Sequence, residues 1–254
     1  MNRTVKERIV FGLLRGFSYC IVAVIGSIVF DIARHGLPAI SWEFLSTFPR
    51  RSGAEGGILP AIVGAQFAGG SLWFVTNAVM PELQRAWSLD PKVLGHTTAA
   101  VQFGFIAGTL LFALSGIADR WPARVLFFLC AAFGALANLA LVAVHGGAPL
   151  IGLRFATGLA LAGVYPIGLK IAGSWYRHDL GHAMGFMVGA LVAGKALPFG
   201  VRALGADLPW QATIGVVSLC ALAGGLVVLA LVGEGPGSWP APVRGAFRPV
   251  LFSV

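Results

Sequence analysis

The chain has 254 residues, of which 57% are hydrophobic and 11% charged, and its mean hydropathy is +0.83. Because a soluble domain carries about 25% charged residues, this composition excludes a soluble enzyme, a disordered protein and a nucleic-acid-binding protein as descriptions of the whole chain. The net charge of +8 comes from short basic runs between apolar segments, which are typical of membrane-protein loops. Cys20, Cys130 and Cys220 each lie in an apolar stretch without Cys-x-x-Cys spacing, so we expect them to be reduced hydrophobic side chains.

Apolar runs long enough to cross a bilayer predict an all-α, polytopic membrane protein with about seven spans. The first run has a basic flank but no small-x-small cleavage site, so it is interpreted as a span and not as a signal peptide. Short linkers between the later runs make neighbouring helices antiparallel. The predicted spans are residues 11–33, 58–80, 94–118, 125–144, 149–175, 184–204 and 212–232.

These runs divide the chain into three predicted regions. Residues 1–64 hold the first span and an extracytoplasmic loop at 34–55, and residues 65–232 hold a six-helix bundle. Residues 233–254, which contain several prolines and glycines, are predicted to form a disordered tail.

Glycines and prolines within the spans predict close helix contacts and kinks. Gly181, Gly185 and Gly189 recur every four residues on one helix face, where a neighbouring helix can approach closely. A helix that slides or rocks against its partner is the alternative interpretation. A proline inside a span frees a carbonyl and kinks the helix, and three lie within the predicted spans: Pro60, Pro166 and Pro198.

Polar side chains inside the spans are the candidates for a substrate path, because such groups are costly in hydrocarbon unless they face a cavity or a partner. Gln66, Trp73 and Asn77 share one helix face, and hydrogen bonding that merely holds the bundle together is an equally good interpretation of this stripe. Lys170 lies near a span end, where it can extend to the interface, whereas Lys195 lies in mid-span. The remaining candidates are Gln102, Asn138 and Arg154.

One motif has the spacing of a zinc-protease helix. His178-Asp179-Leu180-Gly181-His182 places two imidazoles four residues apart, which makes an intramembrane zinc hydrolase a further alternative. However, Asp replaces the expected Glu, Gly181 weakens the helix, and no third ligand is evident. We therefore predict a protein that is not an enzyme, with no catalytic residues, no metal and no cofactor.

From about residue 66 to residue 232 the sequence resembles the N-terminal six-helix half of a major facilitator superfamily transporter. The segment 66–81 resembles the first helix of a bacterial branch of that superfamily. The loop 115–124 resembles the family's basic loop between its second and third helices, with matches at Asp119, Arg120 and Arg124. The resemblance implies that this loop acts as a conformational latch, although Ser115 and Pro122 replace two family glycines.

Two later helices extend the resemblance. Arg154 and Gly158 match the Arg-x-x-Gln-Gly start of the fourth family helix, with Thr157 in place of the amide. The fifth family helix is similar in its glycines and proline, here Gly185, Gly189, Gly194 and Pro198. Among these, Gly158 and Pro198 join the glycines of residues 181–189 as predicted helix-packing positions.

The resemblance implies secondary transport of a small solute by alternating access, in which two six-helix halves rock against each other. Its expected partners are the lipid bilayer, the solute, a proton as candidate coupling ion, and a second half-transporter, supplied by a homodimer or by a missing C-terminal part. We therefore expect a truncated or fused transporter in a bacterial-type cytoplasmic (inner) membrane. The residues expected to line the substrate path are Gln66, Trp73, Asn77, Gln102, Arg154 and Lys195, the last two as counter-charges.

Residues 1–64 resemble the start of the permease subunit of phosphate ABC importers, at 11–14, 35–45 and 56–64. A phosphate importer permease is thus an alternative function, although no ATPase-docking loop follows. The basic N-terminus favours a cytoplasmic start, which would place the latch-like loop outside, whereas the facilitator family has it in the cytoplasm. The basic residues are divided too evenly between the two sides to decide the orientation.

Overall fold

The computed structural model describes Ser27, Arg34 and residues 58–176, 180–205, 208–233 and 235. The chain divides into two units, residues 1–46 and 47–254, and every helix described below belongs to the second. The predicted first span, its following loop and the predicted disordered tail lie almost wholly outside the described residues, so they stay predictions.

The secondary structure of the described part of the second unit is all helical, without strands. Two short 3-10 turns interrupt or extend the helices, at Ser71–Trp73 and Ala140–Ala143. The helices are α1 (Ile58–Gly70), α2 (Val75–Trp87), α3 (Val93–Ser115), α4 (Ile117–Arg120), α5 (Ala123–Leu139), α6 (Gly147–Trp175), α7 (Leu180–Gly194), α8 (Leu197–Leu204) and α9 (Trp210–Leu231).

Five helical segments in this part of the chain are long and apolar enough to cross a membrane, and the bent pair α7 and α8 makes a sixth. The first span runs through α1, the 3-10 turn and α2, from Ile58 to Trp87, and so extends beyond the predicted end at residue 80. The prediction of an all-α, polytopic helix bundle is confirmed.

The bundle is built around α6 and α1. Helix α6 packs on α3, α5 and α1, while α1 also packs on α7 and α9. The α3–α6 contact is close because Gly104 and Gly158 each face the backbone of the other helix: an added Cβ would meet the carbonyls of Phe155 and Val101, respectively. Small residues that let two backbones touch are the usual means of helix association in lipid.

Two of the spans are broken about midway. In the first, α1 ends at Gly70 and α2 begins only at Val75, after the 3-10 turn. In the fifth, α7 ends at Gly194 and α8 starts at Leu197, with a bend of 41° between them. Pro198, predicted to kink its span, lies in the first turn of α8, directly after this bend. By contrast, α6 continues through Pro166 without a break.

Candidate functional site

The two broken spans cross each other just before their breaks. A Cβ on Gly70 would lie 2.8 Å from the carbonyl oxygen of Leu191, and a Cβ on Gly194 would meet the carbonyl of Phe67. Glycine is therefore required on both helices for their backbones to touch. Interrupted helices at mid-depth are tolerated where the freed backbone groups line a cavity or find partners, and in transporters they mark binding sites.

Arg154 of α6 occupies the core beside the break in the first span. Its side chain is 1% exposed, and its Nη2 donates hydrogen bonds to the carbonyl oxygens of Leu72 at 3.0 Å and Trp73 at 2.5 Å. An interrupted helix leaves carbonyls without intrahelical donors, and the guanidinium supplies donors to two of them. Among the described residues, the charge of Arg154 is thus compensated by carbonyl dipoles and not by a carboxylate.

A polar network continues from Arg154 across the bundle. Its Nη1 donates to Oδ1 of Asn138 in α5 at 3.5 Å, and Nδ2 of Asn138 donates to Oγ of Ser218 in α9 at 2.9 Å. All three side chains are buried. The network links the break in the first span to the third, fourth and sixth spans, and it pairs polar groups that would be costly if left alone.

Lys195 lies in the break between α7 and α8, next to the other broken span. Its Nζ is 4.4 Å from the centroid of the Trp73 ring and 6.0 Å from that of Phe74, which is cation–π geometry. The Trp73 ring also packs against Phe105, with 5.0 Å between centroids. Within the described part of the chain, the Lys195 ammonium has no carboxylate or other hydrogen-bond acceptor.

The amide side chains predicted to line a path are distributed around this point. Nδ2 of Asn77 in α2 donates to Oγ1 of Thr98 in α3 at 3.1 Å, and Gln102 is exposed one turn further along α3. Gln66 is fully buried next to Gly168 of α6, and neither atom of its amide has a partner among the described residues. Trp73, Arg154 and Lys195 are therefore brought together, Asn77 and Gln102 form a neighbouring polar face, and Gln66 lies about two turns before Trp73.

The latch-like loop is tied to the fourth span. Nζ of Lys170 in α6 lies 2.6 Å from Oδ1 of Asp119 and donates to the carbonyl oxygen of Ala118 at 2.6 Å. Arg120 and Arg124 are exposed. The sequence places Lys170 near a span end but does not predict its partner, because the ion pair joins residues 51 positions apart.

The predicted helix-packing positions differ in what surrounds them. Gly158 faces the α3 backbone, as described above, and Pro198 is buried. Gly181 and Gly185 face open space, since a Cβ there would meet nothing within 4 Å. The prediction of a packing face on α7 therefore stays a prediction, and within the described bundle α7 contacts α1 at Gly194 instead.

The zinc-like motif is only partly described. His182 is exposed near the start of α7, while His178 and Asp179 lie outside the described residues. Elsewhere in the described ranges no group of three His, Cys, Asp or Glu side chains is placed to hold a metal ion.

Comparison with known proteins identifies the family. A search of curated proteins gives no significant match to this chain. A sequence profile described as the Major Facilitator Superfamily matches residues 62–253, which cover all nine helices described above apart from the first turn of α1. Together with the membrane-spanning helix bundle, this match shows that the chain belongs to the Major Facilitator Superfamily of membrane transporters.

Proposed function

We propose that this protein carries a small solute across a membrane by alternating access, and that the solute binds where the two broken spans cross. The observation that carries this proposal is the position of Lys195. Its ammonium lies over Trp73, about midway along both spans, without a counter-charge among the described residues. A charged group inside a membrane bundle is costly, at about 2.5–3.5 kcal/mol, and is retained where it serves a path or a partner.

The other polar groups have distinct roles in this proposal. Arg154 holds the carbonyls of the broken first span in place, so it shapes the site through Leu72 and Trp73. Asn77 and Gln102 line the path beside the site. At the end of the bundle where α4 lies, the ion pair between Lys170 and Asp119 holds the latch-like loop against the fourth span, and its release accompanies the change between the two states.

Alternating access in this family requires two six-helix units that rock against each other. The described spans supply one such unit, and we propose that a second copy of the chain supplies the other. Cross-linking of the purified protein in bilayers tests this point, and a product of twice the chain mass is the expected result.

We further propose a bacterial-type inner membrane as the location, a proton as the coupling ion, and residues 1–64 as an importer-like additional span.

Uptake into liposomes tests the transport function directly. Purified chain is reconstituted, and radiolabelled solutes of negative, positive and zero charge are offered with and without a proton gradient. We expect saturable uptake of at least one solute by the native chain and by Lys92→Gln, which removes an exposed lysine of the loop between α2 and α3. The Lys195→Gln variant is expected to show no saturable uptake. A folded chain that takes up none of these solutes saturably would overturn the proposal.

A further inference from the structure

Carboxylates and cations are distributed unevenly in the described bundle. It contains only three acidic residues, Glu82, Asp90 and Asp119. Asp119 pairs with Lys170, Glu82 pairs with Arg202 at 2.5 Å, and Asp90 lies in the loop after α2. The described carboxylates therefore lie toward the ends of the bundle. They do not neutralise the positive charge in its middle.

Two cations lie in that middle region, and they differ in what they can still bind. Arg154 is 1% exposed, and it already donates three hydrogen bonds, to Leu72, Trp73 and Asn138. Lys195 is partly exposed, its ammonium lies over the rings of Trp73 and Phe74, and among the described residues it makes no hydrogen bond or ion pair. Lys195 is therefore the cation that remains open to a ligand.

We infer that the transported solute is a small anion and that Lys195 binds its anionic group, on the platform formed by the Trp73 ring. This inference rests on the proposed transport function and adds the class of substrate. An ammonium removed from bulk water gains most from a charged acceptor, since charge-assisted hydrogen bonds are about twice as strong as neutral ones. The buried network around Arg154 adds positive potential at the same place, which disfavours a cationic solute.

Quenching of Trp73 fluorescence tests anion binding without any need to know the natural solute. Every tryptophan except Trp73 is replaced by phenylalanine, and the chain is placed in nanodiscs of uncharged lipid. Iodide serves as the anionic probe and acrylamide as the neutral one. We expect Lys195→Gln to weaken quenching by iodide about tenfold, the loss of one charge-assisted contact, and to leave quenching by acrylamide unchanged. Lys195→Arg keeps the charge and is expected to be quenched by iodide as strongly as the native side chain allows. Succinate is expected to compete with iodide and so to reduce the quenching.

The outcomes separate this inference from the transport proposal. Iodide quenching that is the same with Lys195→Gln, or an equal change with acrylamide, overturns the inference even if uptake of a neutral solute is observed. A charge-dependent iodide effect without saturable uptake overturns transport and leaves anion binding in place. If the single-tryptophan chain does not fold, thermal unfolding of the otherwise native chain replaces it: succinate then raises Tm with Lys195 or Lys195→Arg, and an equal rise with Lys195→Gln overturns the inference.

Discussion

The carbonyl oxygen of Trp73 accepts a hydrogen bond of 2.5 Å from Arg154, while the ring of the same tryptophan lies under the ammonium of Lys195. One residue of the broken first span thus contacts two cations, from the fourth and the fifth spans. The backbone contact supplies a donor to a carbonyl at the break, whereas the ring contact leaves the Lys195 ammonium without a hydrogen-bond acceptor among the described residues. In the proposed mechanism, different cations therefore serve stability and recognition: Arg154 the first and Lys195 the second.

Removal of the Arg154 guanidinium should destabilise the bundle. Arg154→Met leaves the carbonyls of Leu72 and Trp73 and the amide of Asn138 without their donor, and we expect a loss of about 3 kcal/mol in the free energy of unfolding. Thermal unfolding of the purified chain in detergent measures it. Arg85→Gln, at an exposed position of α2, is the control and should stay within about 1 kcal/mol of the native chain. Equal stability of the two variants would show that the network does not hold the break.

Substitution by alanine should have opposite effects on stability at Gly158 and at Gly185, two glycines within predicted spans. In Gly158→Ala the new Cβ meets the α3 backbone at Val101, so we expect a loss of about 1–3 kcal/mol from overpacking. In Gly185→Ala it meets nothing within 4 Å, and the better helix propensity of alanine should give a gain of up to about 1 kcal/mol. Unfolding measured side by side tests both, and destabilisation by Gly185→Ala alone would place the close helix contact on α7.

The ion pair of the latch-like loop should be measurable but weak. The side chains of Lys170 and Asp119 are 36% and 70% exposed, so a double-mutant cycle of Lys170→Gln and Asp119→Asn should give a coupling of about 0.2–1 kcal/mol that falls with added salt. The same cycle with Arg120→Gln in place of Lys170→Gln is the control and should give none. Coupling to Arg120 and not to Lys170 would contradict the arrangement found at α4.

The orientation of the bundle is tested by labelling with a membrane-impermeant maleimide in whole cells, after Cys20, Cys130 and Cys220 are replaced. The family places the loop after its second helix in the cytoplasm, and we expect Arg120→Cys to be protected. Ser52→Cys, in the predicted outer loop, is the comparison. Labelling at position 120 would mean that the predicted span at residues 11–33 inverts the six helices.

The sequence predicts the helices well because apolar runs of sufficient length have few alternatives in a bilayer. It also singles out Trp73, Arg154 and Lys195, since charge and aromatic groups are conspicuous in mid-span. It does not predict that Arg154 donates to the carbonyls of Leu72 and Trp73, because every residue has a backbone carbonyl whatever its side chain. Nor does it predict that Ser218 pairs with Asn138 or Lys170 with Asp119, because these contacts join residues 80 and 51 positions apart. The break in the first span did carry a signal, the weak helix formers Gly69, Gly70 and Ser71.

The central claim, that the crossing of the broken spans is reached from both sides of the membrane, is tested by Phe74→Cys in the cysteine-free chain. Phe74 is half-buried beside Lys195, and the impermeant maleimide is applied separately to right-side-out and inside-out vesicles. Leu219→Cys, on an exposed apolar position of α9, controls for entry through lipid. Alternating access predicts labelling of position 74 from each side and of position 219 from neither. Labelling of position 74 from one side only, or from neither, would contradict it.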